Sequence, residues 1–259
     1  MASTSGDGGL KRDHDTSSQE DLGHAGALLP EGIEAPASAL GDELLSRASL
    51  AGPAATGFVL DVLKRDAREE VQYKGVQALA QIAETPPGRK VLLETEAVEC
   101  VVEAMMSATP EEVLLQYHGC SALANIVIGG EGEGAVLDKG GLAAVFAAAK
   151  AHPADAGVQT KSCLALGNIA FGATGEAKVL SDGGLDIVVA AMKAFPAEVA
   201  LQTEGVDALV NIADSPGGKQ TLLGLGGLAV VAAAKKHDAC KETAGALATA
   251  LVAAAKETQ

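Results

Sequence analysis

Four cysteines, Cys100, Cys120, Cys163 and Cys240, and three histidines, His118, His152 and His237, are the residues from position 100 onward that could ligate a transition metal or act as nucleophiles. Their spacing argues against both roles. The cysteines stand 20, 43 and 77 residues apart with no CxxC pair, and no histidine has a cysteine or carboxylate at ligand spacing. A metal centre needs several donors converging at short intervals, so no metal site and no cofactor is expected. The glycine-rich stretch IGGEGEGAVLDKGG (128–141) has phosphate-loop spacing, but it follows a helical pattern rather than a strand, and Glu131 and Glu133 would repel phosphate. No GxxxxGK[ST], HExxH or GxSxG pattern occurs in the chain, so the mechanisms those motifs serve have no residues to run on. No catalytic residue emerges, and the protein is not expected to be an enzyme.

Composition narrows the field further. The chain has 259 residues, 48% of them hydrophobic, with four Phe, two Tyr and no Trp, and a formal net charge of −15. Nucleic-acid binding calls for a basic stripe to neutralise phosphates and aromatic platforms for bases, and neither is present. No apolar run approaches the ~20 residues that cross a bilayer. The N-terminus, MASTSGDGGLKRDHDTSSQED, lacks an apolar stretch, so no signal peptide is expected and the cysteines should be free thiols in a reducing compartment. Cytoplasmic location is the expectation, with the nucleus open. Residues 1–43 hold nine acids and two bases; with Ser, Thr, Gly and Pro between them, residues 1–42 read as a disordered acidic leader and 43–259 as the folded domain.

The residues with chemical potential must then be positioned by repeated elements. VQYKGVQALAQIA (71–83), LQYHGCSALANIV (115–127), VQTKSCLALGNIA (158–170) and LQTEGVDALVNIA (201–213) start 44, 43 and 43 residues apart. A second block, DKGGLAAVFAAAK (138–150), SDGGLDIVVAAMK (181–193) and GLGGLAVVAAAKK (224–236), recurs every 43 residues, with ETEAVECVVEAMM (94–106) as a diverged first copy. A fixed period of 40–47 residues marks a helical solenoid. Apolar residues at three- and four-residue steps make each long block an amphipathic helix. A Gly pair ends a short helix and opens a medium one. The unit is therefore a short helix, a Gly corner, a medium helix, a loop and a long helix. GFVLDVLKRDAREE (57–70) and ACKETAGALATALVAAAK (239–256) read as incomplete terminal units, as repeat arrays require. Cys120 and Cys163 share a repeat column with Val76 and Val206, which makes them small apolar core groups. Gly75, Gly119 and Gly205 form another column, explained best by close helix approach.

The joined words VLDKGGL, VLSDGGL and LLGLGGL with GCSALANIV, SCLALGNIA and GVDALVNIA resemble armadillo repeats over residues 57–256. The resemblance implies an all-α, right-handed armadillo-like superhelix of about five three-helix repeats, the terminal ones partial. It also implies a concave groove lined by third helices, where an Asn on each helix clamps an extended partner. The equivalent column here is Gln81, Asn125, Asn168 and Asn211, ending at Thr249. A side-chain amide carries both donor and acceptor and so can imitate a strand edge. The alternative is that these amides bond a neighbouring turn or helix. Members that read basic nuclear-import signals place Trp four residues before the Asn, where this chain has Gln77, Ser121, Leu164 and Asp207; recognition in that manner is not expected.

Residues three positions on and four and seven back share the Asn face of a helix. In the third repeat these include Leu164 and Phe171, and in the fourth Glu204, Asp207 and Asp214. The expectation is a protein or peptide partner with an apolar anchor opposite Leu164 and Phe171 and a basic residue opposite the three carboxylates. A solvated acidic face remains the plain alternative. Function is expected to be that of a non-catalytic adaptor or scaffold, with two rivals: an architectural module docking through its convex surface, and a regulatory armadillo region of a larger enzyme such as a kinase. The sequence leaves oligomeric state open.

Overall fold

The computed structural model describes residues 36–50 and 52–257. The 1–42 leader lies outside them except for its last seven residues. Every regular element among the described residues is a helix. In chain order these are α1 (Ala37–Ala48), α2 (Pro53–Arg65), α3 (Glu69–Ile82), α4 (Pro86–Leu93), α5 (Ala97–Ser107), α6 (Val113–Ile126), α7 (Glu133–Asp138), α8 (Gly141–Ala151), α9 (Ala156–Ile169), α10 (Ala173–Ser181), α11 (Gly184–Ala194), α12 (Val199–Ile212), α13 (Pro216–Gly224), α14 (Gly227–Ala234) and α15 (Lys241–Glu257). No helix among them is long and apolar enough to cross a membrane.

The arrangement is repeat-like. Short, medium and long helices follow one another as α4–α5–α6, α7–α8–α9, α10–α11–α12 and α13–α14–α15. The long helices α3, α6, α9 and α12 pack side by side, each chiefly against the one before and the one after. Leu79, Leu123, Leu166 and Leu209, with Ile82, Ile126, Ile169 and Ile212, are fully buried in one column each. A buried Leu or Ile contributes roughly 1.5–3 kcal/mol, so these two columns are the main cement between layers. Glycines make the corners. Gly140, Gly183 and Gly226 adopt φ of +81°, +90° and +80°, a region closed to most side chains, and they hand the short helix to the medium one. The diverged first copy turns the same corner at Glu96 with φ of −83°, so it needs no glycine.

Helix α1 departs from the expected boundary at 42/43. It begins at Ala37 and packs on α3 in the place a preceding long helix would take. Asp42 and Glu43 inflate the acidity of the leader, yet both are exposed, while Gly41, Leu44 and Ala48 bury the opposite side. Asp42 accepts a hydrogen bond from Lys74 at 2.9 Å, joining α1 to the first long helix. At the far end, α15 packs mainly on α14 and α13 and only lightly on α12, because the loop after Lys236 is short.

Two carboxylates lock successive repeats together. Glu133 accepts from the Gly175 backbone N–H at 2.6 Å, and Glu176 from that of Ser215 at 3.0 Å. Each closes the start of the next repeat's short helix, where free N–H groups favour an anion. Arg89 and Lys219 hold the same column in the flanking repeats and instead donate to the carbonyls that end their own long helices, Arg89 to Ala83 and Glu84 and Lys219 to Asp214.

Candidate functional site

The Asn column resolves into an end-capping device. A helix leaves its last carbonyls without intrahelical donors. At the end of α3 the N–H of Glu84 bonds Gln81, at the end of α6 that of Ile128 bonds Asn125, and at the end of α9 that of Phe171 bonds Asn168. These three-residue closures bypass the carbonyls of Ala80, Ala124 and Gly167. Asn125, Asn168 and Asn211, each one repeat further on, donate Nδ2 to those oxygens at 3.1, 3.0 and 2.9 Å. The amides thus bond the adjacent helix. Gln81, first in the column, is exposed, and Thr249 turns its hydroxyl to the Gly245 carbonyl of its own helix.

A second amide column is not singled out by the sequence. Gln72, Gln116, Gln159 and Gln202 reach back to the last turn of the medium helix before them. Gln72 donates to Leu63 and Asp66, Gln116 to Met105, Gln159 to Ala149 and His152, and Gln202 to Met192 and Phe195. Its signal is present in the repeated words as VQ or LQ. Gln202 is 1% exposed and its bond to the Met192 carbonyl is buried, while the half-buried Phe195 carbonyl also accepts from the Glu198 N–H. Gln202→Leu is expected to cost about 1–3 kcal/mol, the loss for one orphaned buried carbonyl, that of Met192; a shift in the urea midpoint at constant slope measures it, and a midpoint unchanged from wild type contradicts this role.

Close approach explains the glycine column. A Cβ on Gly75 would overlap Leu63, one on Gly119 Met105 and one on Gly205 Met192. Ser162 fills the third copy, buried, with its Oγ 3.6 Å from the Cys120 thiol. Burial pushes Cys120 and Cys163 up to about 12, and all four cysteines are buried free thiols. Such thiols are inert as ligands and nucleophiles. Among the described residues no group of three His, Cys, Asp or Glu is placed to hold a metal.

Of the other expected site residues, Leu164, Glu204 and Asp207 lie within α9 and α12, and Phe171 and Asp214 lie past the ends of those helices. Phe171 stands 72% exposed at the end of α9 and Ile128 43% exposed at the end of α6, whereas Leu164 is half-buried against the core. The three carboxylates do not form one cluster. Burial raises Glu204, the Asp207 charge raises it further, and Lys161 offsets part of this; burial likewise raises Asp207. Asp214, 86% exposed, lies instead 4.0 Å from Lys219.

A carboxyl whose pKa is raised by folding binds its proton more readily folded than unfolded. Stability therefore rises as pH falls from neutrality through the raised value, and the cost of ionisation is complete above it. Glu204→Gln is expected to raise the thermal midpoint at pH 7, and this gain should vanish once pH falls below the ordinary carboxylate range of about 4. A midpoint no higher than wild type at pH 7 would contradict it.

No protein-family model matches the chain, and no curated protein matches it. Among solved structures it is similar to the crystal structure of an engineered protein, a Northeast Structural Genomics Consortium target, with a TM-score of 0.70 and 24% identity over 86% of this chain and 94% of that one. At this identity the likeness concerns the fold alone: an all-helical, repeat-like arrangement.

Proposed function

We propose that the chain is an armadillo-like interaction module: a right-handed superhelix of about five repeats, non-catalytic, that holds an extended segment of a protein partner along its third-helix face in the cytoplasm or nucleus. The observation that carries this reading is a freely exposed Phe171 just past the end of α9, together with two carboxyls on α12, Glu204 and Asp207, held above their ordinary range. Neither feature serves the core. An exposed large ring and a carboxyl pair whose ionisation opposes folding are both relieved by one ligand, a segment with an apolar side chain and a cation. Packing geometry supports a groove. The long helices contact one another more extensively than the medium helices do, which would curve the array toward the long-helix side.

The rival reading, docking through the opposite surface, is favoured by the use of each Asn amide to cap the adjacent helix. Anisotropy of a fluorescent peptide carrying Leu and Arg separates the two. Under the groove reading Asp207→Lys with Asp214→Lys abolishes capture; undiminished binding would sink it.

A further inference from the structure

Both tyrosines of the chain converge on one histidine. Tyr73 on α3 stacks with His118 on α6, ring centroids 6.4 Å apart at 14°. Tyr117 meets the same imidazole edge-on at 5.1 Å and 88°. On the next long helix, α9, the Lys161 ammonium lies 5.4 Å from the Tyr117 ring centroid. All four side chains are half-buried, the tyrosines packing one edge on the core. In a chain with six aromatic residues, three aromatic rings and a cation make a continuous shelf across three repeats.

The cation of the shelf meets a carboxylate only at longer range, at Glu204 on α12. No carboxylate among the described residues forms an ion pair with Lys161, although the protein carries 34 acids. Its neighbour in the same column, Lys74, is by contrast paired with both Asp42 and Glu70. The Lys161 charge is felt on both sides: burial depresses His118 and Lys161 depresses it further, while on α12 Lys161 draws Glu204 down against the burial that raises it. A ring face attracts a cation only weakly when partly exposed, about 0.5–1 kcal/mol, so a carboxylate arriving over Lys161 would complete it through a stronger charge-assisted hydrogen bond. On α12, the next helix over, the sign reverses at Glu204 and Asp207.

We propose that this shelf receives an acidic side chain of the partner segment, so that the ligand is dipolar, with a carboxylate over Tyr117, His118 and Lys161 and a basic residue over Glu204 and Asp207. This rests on the groove reading above. Packed helices stand roughly 8–10 Å apart and an extended chain advances about 3.3 Å per residue, which puts the two charges about three residues apart. A groove with one sign at each end also fixes the direction in which a segment lies.

The chain has no Trp and only these two Tyr, so tyrosine emission reports on this shelf alone. The test titrates the full chain with short peptides free of Tyr and Trp: two carrying Glu and Arg at the derived spacing in opposite orders, and one with Gln in place of Glu. One of the two dipolar orders should bind about tenfold tighter than the Arg-only peptide, the worth of a charge-assisted contact, and should change tyrosine emission. Lys161→Gln should erase that gain, so that the dipolar and Arg-only peptides bind the variant alike, while the helical circular-dichroism spectrum stays unchanged. Equal binding of all three peptides, or a gain that survives Lys161→Gln, would overturn the dipolar ligand and leave the groove standing. Binding of none would overturn both.

Discussion

Gly175→Ala is expected to lower the stability of the protein by about 3–5 kcal/mol, a large part of the roughly 5–15 kcal/mol that holds a typical domain together. Gly175 lies buried in the first turn of α10, backed onto the last residue of α9, and a Cβ at that position falls inside the carbonyl oxygen of Ile169. The obstacle is backbone rather than a flexible side-chain tip, so α10 must move away from α9. That movement costs about 1–3 kcal/mol as overpacking. It also pulls the Gly175 N–H from Glu133, a 2.6 Å bond to a carboxylate, worth about 1.5–3 kcal/mol. Gly88 meets the carbonyl of Ile82 in the same way, and the corresponding variant should behave alike. Gly134 is the control. It lies in α7 with nothing within 4 Å of where a Cβ would stand, and alanine there should stabilise by about 0.5–1 kcal/mol. Urea unfolding of the three variants beside wild type measures these values; Gly175→Ala within about 1 kcal/mol of wild type would contradict the contact, since backbone overlap cannot be relaxed so cheaply.

Charge reversal on α12 carries the largest expected effect on binding. Asp207→Lys with Asp214→Lys changes the local charge by four units and should weaken a Leu/Arg peptide by about 100-fold or more. Losing one favourable contact and meeting a like charge are each worth about tenfold at a partly desolvated site. Asp214 is well exposed and has Lys219 beside it, so most of the loss should come from Asp207, and the single Asp207→Lys variant should account for it. The neutral Asp207→Asn variant should fold at least as well as wild type at pH 7, since it removes a carboxyl whose ionisation opposes folding. A binding defect without a stability defect separates function from structure. Loss of both together would place Asp207 in the scaffold instead.

Much of the architecture is legible because the repeat speaks twice, once in the Gly pairs and once in the ALxNIA words. Gly140, Gly183 and Gly226 adopt the left-handed corners their pairing implies. Cys120 and Cys163 occupy buried positions where their column has valine in the other repeats. Helix α1 is hidden because three small or apolar residues, Gly41, Leu44 and Ala48, sit beside the exposed acids Asp42 and Glu43. The Asn column is visible in the sequence, but its bonding is not. Which carbonyl at a helix end lacks a donor depends on a three-residue closure 44 or 45 residues away, and no local pattern records that. The Gln column is hidden because a buried glutamine and a surface glutamine look alike in a period; only the packing of α12 on α11 decides that Gln202 is enclosed. The acidic trio looks uniform by helical spacing, yet Asp214 lies past the last residue of α12, where the helical face has ended.

The most direct test asks where a ligand sits. A peptide selected from a random library against the full-length chain should slow amide exchange along α9 and α12, with no change in α8 and α11, and should carry an apolar and a basic residue. Protection confined to α8 and α11 would contradict the third-helix groove and transfer the interaction to the opposite surface.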